Sequence, residues 1–75
     1  MITIGQRIHE LRVAREQTQR DVSYDLMLPV PHLYHIESGQ ARFPRSWVPR
    51  FAQYYHVSEE KLLADVDPAS IADNL

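Results

Sequence analysis

The sequence predicts a small all-α domain of five short helices, and three observations carry that prediction. Apolar residues recur at i, i+4 and i+7 rather than at alternate positions, helix-capping residues stand just before several of these runs, and prolines fall in first turns or between runs. With 75 residues and 44% hydrophobic composition the chain reads as one domain, held by packing alone or by a partner subunit. The absence of cysteine excludes a disulfide framework, a thiolate zinc site and a cysteine nucleophile. No apolar run approaches the roughly 18 residues of a membrane span, and the start MITIGQRIHE lacks a signal pattern. A cytoplasmic protein with no membrane partner is the expectation.

The first helix is read from about residue 3 to residue 15, its inner face lined by Ile4, Ile8 and Leu11. Thr18 offers an N-cap hydroxyl with Asp21 three residues on, so a second helix follows from Gln19 to Leu26 with Val22 and Leu26 inward. Met27, Leu28 and Pro29 break the pattern, because the residue before a proline is steered away from helical angles. A third helix begins at Val30 and ends at Gly39. Pro31 is tolerated in its first turn, and Leu33 and Ile36 form its buried pair. Residues 40 to 45 read as a loop. Ser46 is expected to cap a fourth helix that turns Val48, Phe51, Ala52 and Tyr55 inward, and Ser58 a fifth that buries Leu62 and Leu63. Residues 1–67 make up the domain. Residues 68–75, short and acidic, are expected to fray unless a partner orders them.

Two helices joined by about three residues form the plan of a helix-turn-helix. The segment TQRDVSYDLMLPVPHLYHIESG resembles, without a gap, the lambda-repressor-like helix-turn-helix of phage repressors, Cro proteins and Xre regulators. The resemblance reaches outward through IGQRIHELRVAR and FAQYYHVSEEKLL, covering residues 4 to 63. It implies a five-helix DNA-binding fold, and a sequence-specific transcriptional regulator acting on double-stranded DNA. It further implies a small homodimeric repressor or autoregulator of a phage, plasmid or other mobile element, working on a palindromic operator. It also implies that Arg12 and Glu37 form a structural ion pair, which removes Arg12 from the DNA contacts. Five positions depart from the family pattern. Met27 stands where the turn usually has Gly, Pro29 where a Ser caps the third helix, Ser23 in place of Ala, and Glu16-Gln17 in place of Gly-Leu. Met27 bears strain if its backbone is left-handed.

Under the same resemblance the base-reading positions are Val30, Pro31 and His35, with His32 and Tyr34 on the flanks. This face has no Arg, Lys, Asn or Gln, so bidentate contacts to guanine or adenine edges are unavailable. Val30 and Pro31 suit thymine methyls, and His35 suits a guanine N7 or a phosphate. Thr18 and Gln19 stand where the family grips the DNA backbone, and Arg42 and Arg45 where it places basic residues near phosphates. Charge supports this placement. Residues 1–57 hold seven arginines against Glu10, Glu16, Asp21, Asp25 and Glu37, whereas residues 58–75 hold Lys61 against five acids. A face of Pro, His and Tyr equally suits a protein partner, in an antitoxin-like or anti-activator module.

His32 and His35 lie three apart but have no third ligand in the motif, so no metal or other cofactor is expected. With two glycines, no phosphate-cradling loop and no nucleophile beside a base, the reading is not an enzyme. Dimer contacts are expected from Trp47, Tyr54, Leu62, Val66, Ile71 and Leu75. No ligand-sensing domain is expected, the sequence ending soon after the fifth helix.

Overall fold

The protein is described by a computed structural model covering residues 1–73. Its five α-helices are α1 (Ile4–Ala14), α2 (Gln19–Leu26), α3 (Val30–Glu37), α4 (Val48–Tyr54) and α5 (Glu59–Leu62). Single 3₁₀ turns occupy Arg45–Trp47 and Pro68–Ser70, and two-residue strands β1 (Phe43–Pro44) and β2 (Ile71–Ala72) pair in parallel. None of these helices is long and apolar enough to cross a membrane.

Local sequence sets the helix starts. Thr18 and Asp21 form the expected reciprocal capping box, the Thr18 hydroxyl accepting from the Asp21 amide and the Asp21 carboxylate from the Thr18 amide. Thr3 and Gln6 do the same for α1, a cap that the periodic pattern did not reveal. Ser58 caps α5 as expected. Ser46 does not cap α4. It lies inside the 3₁₀ turn, and α4 begins from Trp47 without a side-chain cap. The reason is Pro44, whose extended backbone lets a tight turn start one residue later.

Helix ends share one device. After α1, α2, α3 and α4 the chain passes through a left-handed residue (Glu16, Met27, Gly39 and His56), and the next amide donates five residues back, to Arg12, Ser23, His35 and Ala52 respectively. Only Gly39 is suited to this without strain. Met27 has φ 58° and is 89% exposed, so its side chain gains little packing in return. Met27→Gly should therefore stabilise the fold by up to about 1 kcal/mol. The check is a higher urea midpoint at unchanged m-value. The same device turns Leu28 inward, where it is buried, although the sequence marked it only as part of a break.

The core joins Ile4 and Ile8 of α1, Val22 of α2, Leu33 and Ile36 of α3, and Val48, Phe51 and Tyr55 of the α4 region. Leu11, Leu26 and Leu63 are half-buried against it. Two corrections concern the connections. The loop over residues 40–45 delivers Phe43, fully buried, to the core, and residues 68–73 do not fray. Ile71 is buried beside Phe43 in the β1–β2 register, the Ile4 amide donates to Ser70 Oγ, and Ile2 bridges Val66. Strands two residues long leave no alternation for a sequence pattern to show. Ser23 is buried with its hydroxyl unpartnered among the described residues. Ser23→Ala should raise stability by about 1 kcal/mol in the same denaturation assay, because it removes a desolvated group that makes no hydrogen bond.

Candidate nucleic-acid interface

α3 is held from beneath and open outward. Leu33 and Ile36 are essentially inaccessible, whereas Pro31, Tyr34, His35 and Ser38 are exposed and Val30 is 38% exposed. Gly5 on α1 sits against the backbone of α3, and a methyl group built there would overlap the Ile36 carbonyl oxygen. This close approach fixes the depth of α3.

The end of α3 is fixed by charge. Arg12 Nε donates to Glu37 Oε2 at 2.8 Å and Nη2 to Oε1 at 3.0 Å, while its Nη1 donates to the Gln17 carbonyl at 2.7 Å. The Glu37 and Arg12 side chains are only 4% and 12% exposed, so this is a largely desolvated pair, as the resemblance implied. His9 Nδ1 lies 3.0 Å from Glu37 Oε1, and Gln19 Nε2 donates to the same oxygen at 3.1 Å. Burial works to raise the Glu37 pKa, but the hydrogen bonds from Arg12, His9 and Gln19 and the Arg12 charge together hold it below the ordinary 4.5. The sequence offers one signal for the contact from His9, its place three residues before Arg12 on the same helix face.

The helix α2, a three-residue turn and an outward α3 anchored to α1 reproduce the expected plan, and comparison with protein-family models matches residues 3–64 to the helix-turn-helix domain. The chain belongs to the helix-turn-helix domain family. That membership supports a DNA-binding protein. Comparisons with curated proteins and with solved structures give no match to the chain.

Within this helix-turn-helix domain the expected site residues divide. Val30, Pro31, Tyr34 and His35 share the outer side of α3. His32 does not join them. It is half-buried, its ring centred 5.0 Å from that of Trp47, which stacks in turn on Phe51. Gln19 is also redirected, because its carboxamide is half-buried and engaged with Glu37 rather than turned to a passing phosphate. The Thr18 hydroxyl serves as the α2 cap.

Most of the positive charge that the sequence assigned to a polyanion is used within the fold. Arg7 donates to the carbonyls of Lys61, Leu62 and Ala64, Arg15 to that of Tyr55, and Arg50 to that of Leu26, so each closes the end of another helix. Arg20 and Arg42 are exposed and make no hydrogen bond with the described residues. Arg45 pairs with Asp73, which the β1–β2 register sets opposite it. Sequence cannot separate these roles, since helix-end carbonyls become neighbours of an arginine only after packing.

The expected dimer surface is not available as read. Leu62 and Ile71 are buried in their own subunit. The Tyr54 hydroxyl accepts from Gln17 Nε2 at 2.8 Å and donates to Asp25, and burial together with the Asp25 hydrogen bond pushes its pKa up. Trp47 and Val66 are half-buried, and Leu75 lies outside the described residues. Among the described residues no group of three or more His, Asp or Glu is placed to hold a metal ion.

Proposed function

We propose that the protein is a sequence-specific DNA-binding transcriptional regulator of the lambda-repressor-like kind. In this reading it is a small homodimeric repressor or autoregulator of a phage, plasmid or other mobile element, acting on a palindromic operator. The observation that carries the reading is the outward face of α3, Val30, Pro31, Tyr34 and His35, held rigidly by Leu33, Ile36 and the Arg12–Glu37 pair within a helix-turn-helix domain. Selection of bound sequences from random duplexes with the purified protein tests it. A palindrome with half-sites about ten base pairs apart is the expected product.

Phosphate contact would fall chiefly to Arg42 and Arg20. Arg42→Ala should weaken binding to specific and random DNA alike and flatten the salt slope by about two per dimer, one released cation per subunit. Arg45→Ala should do less, because Asp73 already neutralises that guanidinium. Titrations between 50 and 200 mM salt, about the range over which such contacts show, read both outcomes.

A second reading is favoured by a specific observation: four large apolar residues of the helix-turn-helix, Tyr24, Met27, Val30 and Tyr34, are exposed. Aromatic residues and Met are enriched in protein interfaces. Here the fold would serve as an antitoxin-like or anti-activator module whose α3 face binds protein. Failure to retain any duplex, with Arg42→Ala silent, would favour it.

A further inference from the structure

The exposed side of α3 has little hydrogen-bonding capacity. His32 is turned to Trp47, and Ser38 donates its hydroxyl to the His35 carbonyl at 3.2 Å. The Tyr34 and His35 rings meet edge to face at 5.6 Å and leave, among the described residues of the face, one hydroxyl and one imidazole without a hydrogen-bond partner. The remaining outward surface is hydrocarbon: Val30, Pro31 and the Tyr34 ring, with Met27 also exposed in the turn that precedes α3. In the major groove every base pair offers hydrogen-bonding groups, but only thymine offers an apolar one, its 5-methyl. Recognition helices meet base edges chiefly through their first turn, the turn that here carries Val30 and Pro31.

We propose that this face reads thymine 5-methyl groups by apolar contact through Val30, Pro31 and Tyr34, so that the operator half-site presents a thymine-rich major groove. The inference rests on the DNA-binding reading and deepens it. Membership of the helix-turn-helix domain family favours DNA over an apolar protein partner as the occupant of this face, and the exposed guanidiniums of Arg20 and Arg42, which make no hydrogen bond with the described residues, add cationic groups available to phosphate.

The test uses the intact protein and the duplex recovered by selection. Thymines of the half-site are replaced one at a time by deoxyuracil, which removes the methyl and preserves pairing. At contacted positions each replacement should lower affinity about fourfold, and outside the half-sites it should have no effect. With Val30→Ala the penalty at one position should shrink towards onefold, a coupling that a general loss of folding would not produce. If uracil is neutral at every position while duplex is still held with a steep salt dependence, the thymine reading is overturned and DNA binding stands. Recovery of guanine-rich half-sites overturns it in the same way. If no duplex is retained, this inference and the proposed function both fall, and the face belongs to a protein.

Discussion

Glu37→Ala should lower the stability of the domain by about 3 kcal/mol, near the foot of the range for breaking a buried ion pair because Arg12 keeps a small solvent-exposed edge. The loss arises mostly from what remains. Arg12 retains the Gln17 carbonyl but loses both carboxylate oxygens, and His9 and Gln19 lose theirs as well. Replacing Arg12 and Glu37 together by apolar residues of similar volume should recover most of the loss, since neither charge is then stranded. Equilibrium denaturation of the single and double variants measures this directly: equal losses in both would show that the stranded Arg12 charge is not the source of the loss, and an unchanged urea midpoint for Glu37→Ala would remove the pair from its structural role.

The same carboxylate gives acid sensitivity of definite sign. Its folded-state pKa lies below the unfolded value, so its contribution is complete at neutral pH and is lost as pH falls from the ordinary 4.5 through the folded value. Glu37→Gln should flatten the dependence of the urea midpoint on pH in that window. A profile unchanged by the substitution would show that other carboxylates dominate acid unfolding.

Gly5→Ala is the second large effect. The added methyl meets backbone, the carbonyl of Ile36, rather than a side chain that can rotate away. Overpacking of a core typically costs about 1 to 3 kcal/mol, and a clash with helix backbone belongs at the upper end. For a domain of this size 3 kcal/mol corresponds to a fall in Tm on the order of 15 °C, readable by circular dichroism. Because the obstruction lifts α3 away from α1, DNA affinity should fall even at temperatures where the variant remains folded. A variant of normal Tm would mean that α1 and α3 do not meet at Gly5.

The helices and the inward face of α3 are legible in the residue order, because both follow from spacing and capping within a few residues. Thr18, Asp21, Ser58, Leu33 and Ile36 do what their positions predict. Equally legible is that α3 carries no side chain able to read a guanine or adenine edge bidentately, since composition alone excludes one. Packing alone settles which arginines remain available, why Gln19 faces Glu37, why Gly5 must be glycine, and that the acidic segment before residue 74 closes over Phe43 and pairs with Arg45. Each of these is a contact between residues far apart in the chain, whose partners are backbone carbonyls, two-residue strands or, for Gln19 and Arg45, a single carboxylate on another segment. Such partners leave no periodicity and no residue signature, so they come into being only when the helices pack.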